Sequence, residues 1–200
     1  MNVAGLILAG GLARRMGRGQ KALLPLGGRH LIGHVIERLS PQVAPLALNV
    51  NAELDQFSEL GLHIVSDTVP GFAGPLAGVL AGLEWIRRLS PVPDFLLTAP
   101  TDAPFLPDDL CARLAAAAED EAADIAVASS GERTHPVVAL WRPSLSKDLR
   151  KALIEDDIRK IDRFTAVHRT VHVDWSLDGG DPFFNINRPE DLEAAETLLG

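Results

Sequence analysis

The chain lacks the marks of several common protein classes. A single cysteine among 200 residues, Cys111, leaves no internal disulfide framework. No apolar stretch approaches the length needed to span a bilayer. No cationic start followed by an apolar run and a small-residue cleavage site opens the chain. Positive charge is also scarce. Nineteen Lys and Arg stand against 27 Asp and Glu, a net charge of −8, whereas phosphate-backbone binding needs a spread of cations. The expectation is a cytoplasmic protein that engages neither nucleic acid nor membrane. The histidines show no metal-ligand spacing, and no Ser/His/Asp or Cys/His constellation suggests a covalent nucleophile. Cys111, in an apolar helical stretch, reads as a small packed residue.

What is present is a globular composition, 46% apolar and 23% charged, of a length suited to one domain over 1–200. The few cations are not evenly spread. Arg14, Arg15, Arg18 and Lys21 fall within eight residues, interleaved with Gly10, Gly11, Gly17 and Gly19, immediately after the apolar run Val3 to Leu8. That run reads as a buried strand breaking into a loop. Glycine lets backbone N–H groups approach a ligand, and the cations supply charge-assisted donors. The natural ligand is a polyphosphate. The loop contains neither G-x-x-x-x-G-K-[ST] nor G-x-G-x-x-G, so a P-loop NTPase and a dinucleotide dehydrogenase both lose ground.

Along the chain, Leu31, Val35, Ile36 and Leu39 recur at helical spacing up to Ser40-Pro41. Leu46 to Val50 reads as a strand, Glu53 to Leu60 as a short helical stretch closed by Gly61, and Leu62 to Val65 as a strand ending in Ser66-Asp67. Gly74-Pro75-Leu76-Ala77-Gly78 opens an amphipathic helix running to Arg87-Arg88. A strand over Asp94 to Thr98 and a helix from about Asp108 to Glu119 follow. This alternation points to a parallel sheet covered on both faces. The second half is less regular. Strands are expected at 124–128, 136–141 and 168–173, helices at 143–154 and 157–164, and a terminal helix from Arg188-Pro189-Glu190. No linker or repeat marks a domain boundary. The expected fold is α/β: a three-layer, doubly wound, mostly parallel Rossmann-like sheet with its crevice outside the carboxyl ends of the strands.

Asp102 is the strongest catalytic candidate. It follows an apolar strand within Pro100-Thr101-Asp102-Ala103-Pro104, where prolines stiffen the backbone. Mg²⁺ takes one or two protein carboxylates together with substrate phosphates and waters, so one fixed aspartate suffices. A turn aspartate or a helix cap is the competing reading. Asn49 and Asp67 also end strands, where either residue is common as a turn former. A guanine, however, offers N1–H and N2–H₂ side by side, and a carboxylate such as Asp67 can accept from both. Gly74 to Gly78 would let backbone approach a base or ribose, with helix packing as the competitor. His135, in Thr134-His135-Pro136-Val137, is the histidine placed to touch a substrate. His30, His34, His63, His168 and His172 read as surface or ordinary core residues.

The glycine-rich loop resembles, in order and spacing, the L-A-G-G-x-x-x-R-M-G-x-x-x-K signature of nucleotidyltransferases, specifically the molybdenum cofactor guanylyltransferase (MobA) branch. Leu8-Ala9-Gly10-Gly11, Arg15-Met16-Gly17 and Lys21 match it. Gly74-Pro75-Leu76-Ala77-Gly78, Pro100-Thr101-Asp102, His135-Pro136 and Asn185-Ile186-Asn187-Arg188-Pro189-Glu190-Asp191 continue the likeness in the family's order. The resemblance implies an enzyme that moves GMP from GTP onto the phosphate of molybdenum-molybdopterin, releasing pyrophosphate and using Mg²⁺. It implies GTP contacts at Leu8, Ala9, Gly10, Gly11, Lys21, Asn49, Asp67, Gly78 and Asp102, with Asp102 on the metal and Asp102, Lys21 and Arg15 as the catalytic set. His135, Asn185 and Asn187 would fall on the molybdopterin side, the amino-terminal part of the chain binding nucleotide and the carboxyl-terminal part the pterin. Partners would be the two substrates, with room for molybdoenzyme apo-proteins or other cofactor-biosynthesis proteins.

One departure stands out. The family often carries Asp immediately before the lysine, and this chain has Gln20. A cytidylyltransferase acting on the same cofactor, or a sugar-phosphate nucleotidyltransferase, would share the loop and the aspartate, although Gly10-Gly11 favours guanine over the Ala-Ala-Gly of the cytidylyl branch. A non-catalytic module that delivers nucleotide or cofactor is the alternative from another class; Lys21 and Asp102 together favour turnover.

Overall fold

The computed structural model describes residues 1–9, 20–71 and 74–199. In chain order the elements are β1 (Val3–Leu8), β2 (Pro25–Leu26), β3 (Arg29–His30), α1 (Leu31–Leu39), β4 (Leu46–Asn49), β5 (His63–Val65), α2 (Pro75–Ile86), β6 (Phe95–Pro100), α3 (Leu110–Asp120), β7 (Ile125–Ser130), β8 (Arg133–Trp141), α4 (Ser146–Ile154), α5 (Ile161–Thr165), β9 (Thr170–Trp175) and α6 (Pro189–Leu199). Short 3₁₀ turns occupy Lys21–Leu23, Leu54–Leu60 and Pro143–Leu145. Residues 54–60, expected to be helical, thus take the tighter turn, bounded by Glu53 and Gly61 in left-handed conformations.

Seven strands form one sheet in the order β5-β4-β1-β6-β8-β7-β9. Neighbours β5, β4, β1 and β6 run parallel, as do β7 and β9, while β8 lies antiparallel between β6 and β7. The sheet is mixed but mostly parallel, as the alternation of apolar runs implied. Strand β1 is buried along its whole length, which explains why it reads as an unbroken apolar run rather than an alternating one. Its odd residues Val3 and Ile7 pack with α1 and α3, and its even residues Ala4, Leu6 and Leu8 pack with α2, α4 and α5. Two separate cores, one on each face, make the three layers.

Chain order reverses at β1. The connection through α1 carries the chain to β4 on one side, and the connection through α2 carries it back to β6 on the other. A crevice therefore opens beyond the carboxyl ends of β1, β4 and β6. The antiparallel sense of β8 adds to this edge, because its first residues, Arg133 to His135, lie beyond its pairing with β6 and share a cavity wall with Pro100 and Asp102. A small third core of Leu26, Leu31, Ile186 and Ala195 ties α6 to the β2–β3 hairpin, drawing the carboxyl-terminal segment over the same edge.

Glycine 82 sets how closely α2 can approach the sheet. A Cβ there would lie 2.5 Å from Leu6 Cδ2 and 2.7 Å from Leu96 Cδ2, so helix and strands meet backbone to side chain.

Candidate active site

The site forms around Lys21. Its Nζ lies 2.5 Å from Asp102 Oδ2 and 2.7 Å from Asn187 Oδ1. The lysine is 9% exposed, and an ammonium so enclosed is stable only with charged and polar partners close by. Three segments remote in sequence meet in this knot: the residue following the glycine-rich loop, the residue just past β6, and the strap before α6. Asp102 is fixed from behind as well, its backbone carbonyl accepting from the Ile186 N–H at 2.9 Å. Lysine carries three N–H donors, so Asp102 and Asn187 leave one for a ligand.

A second cluster holds Asp67. The Asn49 side-chain amide donates to Asp67 Oδ1 at 2.9 Å and to the Val65 carbonyl at 2.9 Å. Asn51 donates to Asp67 Oδ2 at 2.9 Å and accepts from the Asp67 N–H at 2.8 Å. Each carboxylate oxygen is thus anchored once and keeps lone-pair capacity, because an ionised carboxylate accepts at about four positions. Buried Asn49 in turn rests on Gly78. A Cβ at 78 would collide with Asn49 Oδ1 and would lie 2.7 Å from Leu8 Cδ2. Gly78 therefore sits beneath the cluster and lets α2 close on it. The side chains of Leu8 and Ala9 are buried, which leaves their backbone as what they can present; the Ala9 N–H already donates to the Asn49 carbonyl at 2.9 Å.

A third group borders a cavity of about 190 Å³ lined by Pro100, Asp102, Arg133, His135, Val137 and Asn185, among others. His135 and Asn185 thus share a wall with Asp102, whereas Asn187 turns to Lys21. Nε2 of His135 lies 2.7 Å from Ser130 Oγ, which donates to Asp181 Oδ1 at 2.9 Å. Burial pushes the His135 imidazole below its ordinary value near 6.5; the Asp181 carboxylate pulls it back up and Arg133 adds to the lowering.

Gly10, Gly11 and Arg15, with Arg14, Met16, Gly17, Arg18 and Gly19, lie outside the described residues. Gln20 is described: buried, it donates from Nε2 to Glu53 Oε2 at 3.1 Å. An aspartate at 20 would face that carboxylate with like charge, so Gln20 and Glu53 fit each other. Burial pushes the Cys111 thiol up, away from a reactive thiolate. Asn51, Ser130 and Asp181 are members of the site region that sequence reasoning passed over. The β7–β8 hairpin through Gly131, which brings Ser130 near His135, was a usable signal for the second; nothing local pointed to the others.

The donors suit Mg²⁺ carried with a substrate. Asp102 is a hard oxygen donor whose side chain is 20% exposed at the cavity wall, and the Asn187 amide oxygen shares Lys21 Nζ with it. Among the described residues no group of three or more His, Cys, Asp or Glu is placed to hold a metal. A cation here would draw its remaining ligands from phosphates and water, as Mg²⁺ commonly does.

Comparison with known proteins agrees with this geometry. A family model described as the MobA-like NTP transferase domain matches residues 5–171. The chain is 53% identical to a molybdenum cofactor guanylyltransferase of Rhodopseudomonas palustris (strain BisB5) over 96% of its length and 92% of that protein's. It is likewise 53% identical to one of Bradyrhizobium sp. (strain ORS 278), over 98% and 92%. Among solved structures, molybdopterin-guanine dinucleotide biosynthesis protein A of Archaeoglobus fulgidus superposes with a TM-score of 0.79 at 26% identity, over 98% of both chains. Among the described residues no helix is long and apolar enough to cross a membrane.

The lowered His135 value has a consequence for stability. The unfolded chain takes up the proton first, so the stability contributed by neutral His135 is complete above about pH 6.5 and is lost as pH falls through that value toward the folded one. The difference in urea midpoint between wild type and His135→Gln should therefore shrink on acidification from about pH 8 to about pH 5. Parallel curves would mean that His135 titrates alike in both states.

The sheet order, the lysine and aspartate joined at its carboxyl edge, and relatives more than 50% identical over nearly the whole chain lead to one assignment: the chain belongs to the MobA-like NTP transferase family, among the molybdenum cofactor guanylyltransferases.

Proposed function

We propose that the chain is a cytoplasmic, Mg²⁺-dependent enzyme that transfers GMP from GTP to the phosphate of molybdenum-molybdopterin. The observation that carries this reading is the Lys21 ammonium held between Asp102 and Asn187 at the carboxyl edge of β1 and β6. There a triphosphate would meet fixed positive charge beside a carboxylate able to hold its metal.

In this reading a phosphate oxygen of the pterin substrate attacks the α-phosphorus of GTP. The new P–O bond forms as the bond from the α-phosphorus to its bridging oxygen breaks, and the electron pair leaves with pyrophosphate. The attacking oxygen is already ionised at neutral pH, so no general base is needed. Catalysis of this kind rests on positioning and on charge placed where charge develops. Lys21, with its third N–H, neutralises the departing β- and γ-phosphates, and Arg15 in the loop would join it. Asp102 would hold Mg²⁺, which when bound supplies charge neutralisation to the phosphates. Asp67, steadied by Asn49 and Asn51, accepts from guanine N1–H and N2–H₂. The cavity of His135 and Asn185 receives the pterin, with Asn187 between the two substrates. The whole chain acts as one nucleotidyltransferase domain.

The test is pyrophosphate release with each NTP, with and without molybdopterin. GTP together with the pterin should be strongly preferred, and release with CTP or independent of pterin would point to a relative of different specificity. Asp67→Ala should lower GTP use and flatten the GTP-to-CTP ratio together, because a site built on a polar pair rejects a base that leaves it unpaired. An equal loss with every nucleotide would assign Asp67 to the ribose or the loop instead. Asp102→Asn should cut turnover on the order of 10²-fold or more while the protein still folds. Near-normal release from folded Asp102→Asn would move the metal elsewhere.

A further inference from the structure

His135 is held by a chain of hydrogen bonds whose direction is set at its far end. Asp181 Oδ1 belongs to a carboxylate, which accepts and does not donate; it takes the Phe183 N–H at 2.9 Å and the Ser130 hydroxyl at 2.9 Å. A serine hydroxyl has one proton. Once that proton points to Asp181, Ser130 Oγ can meet His135 Nε2, 2.7 Å away, only as an acceptor. Nε2 must then carry the proton, and neutral His135 has a bare lone pair on Nδ1.

The ring itself cannot turn easily. His135 is 5% exposed and lies against Phe183, with centroids 4.7 Å apart, and Phe183 is braced edge-on by Trp175 at 5.3 Å. Every buried side-chain nitrogen and oxygen among the described residues has a hydrogen-bond partner. Nδ1 makes no hydrogen bond to them, so it lies at the accessible surface, on the residue that walls the 190 Å³ cavity with Arg133, Asp102 and Asn185. A pterin ring carries N–H and amino donors that such an acceptor would suit.

We propose that Ser130 and Asp181 are positioning residues that lock His135 in the Nε2–H tautomer, so that Nδ1 faces the acceptor-substrate cavity as a fixed hydrogen-bond acceptor for a pterin N–H. This rests on the reading that the cavity receives the pterin. Ser130 and Asp181 act through the histidine and touch no substrate. The arrangement is a selectivity device: with the opposite tautomer the cavity would show an N–H to a ring edge rich in donors, and the contact would be lost.

The tautomer is read directly from long-range proton–nitrogen correlation spectra of the ¹⁵N-histidine-labelled full chain at mildly alkaline pH. The wild type should show Nε2 protonated and Nδ1 bare. Asp181→Ala frees the Ser130 proton to point at Nε2, and Ser130→Ala removes the acceptor; both should populate the Nδ1–H form. Ser130→Thr, which keeps the hydroxyl, should retain the wild-type pattern. The KM for molybdopterin should rise about five- to tenfold, the worth of one hydrogen bond, in Asp181→Ala and Ser130→Ala and recover in Ser130→Thr, with the KM for GTP unchanged. If Asp181→Ala does not fold, the Ser130 pair carries the same comparison. An Nδ1–H tautomer in the wild type, or a wild-type tautomer in both alanine variants, overturns the positioning role. The expected tautomers with an unmoved molybdopterin KM, in these variants and in His135→Ala alike, overturn the placement of the pterin in this cavity and leave nucleotide binding untouched.

Discussion

The pairing of Lys21 with Asp102 is the contact on which the rest of the site depends. A lysine that is nearly enclosed at the end of a glycine-rich loop has lost much of its hydration, and it is tolerable only because a carboxylate and an amide oxygen replace the water. The groups that stabilise this ammonium come from residues 81 and 166 positions further along the chain. The contact therefore gathers Lys21, the residue just past β6 and the strap before α6 at one edge. Removing either charge strands the other, which is why the same two residues serve both the architecture and the proposed chemistry.

Much of this was legible before any coordinates. Apolar runs ending in Gly10, Asn49, Asp67 and Asp102 implied strands that deliver polar residues to one edge, and the sheet does deliver Asn49, Asp67 and Asp102 there, Gly10 lying outside the described residues. The unbroken burial of β1 follows from helices on both its faces, the arrangement that a run such as Val3 to Leu8 implies. Less legible was how these residues act on one another. Asn49 and Asp67 were each readable as turn formers, and only the parallel pairing of β4 with β5 places the amide of one against the carboxylate of the other. Asn187 reads from sequence as a companion of Asn185, yet the irregular strap before α6 sends Asn187 to Lys21 while Asn185 lines the cavity. Asp181 meets Ser130 across 51 residues, a contact that no local pattern encodes.

Two details separate this chain from a generic nucleotidyltransferase edge. Gln20 stands where an aspartate is usual in the family it resembles, and its amide is satisfied by Glu53, a residue held at a left-handed φ of 54°. The substitution is thus absorbed by a neutral donor facing a carboxylate. Gly78, readable as a point of backbone approach to ligand, lies under Asn49, where the lack of a side chain allows the amide to reach Asp67. In both cases a residue acts through a neighbour.

A crystal structure of the protein with GTP bound tests the central claim most directly. A groove of about 720 Å³ also lies by the amino-terminal ends of β1 and β4, lined by Met1, Val3, Val43, Cys111 and Ala115 among others, so the position of the nucleotide is decisive. The account predicts the triphosphate within hydrogen-bond distance of Lys21 Nζ and the guanine edge against the carboxylate that Asn49 and Asn51 hold. Nucleotide bound in the opposite groove, or anywhere that leaves Lys21 engaged solely with Asp102 and Asn187, would contradict it.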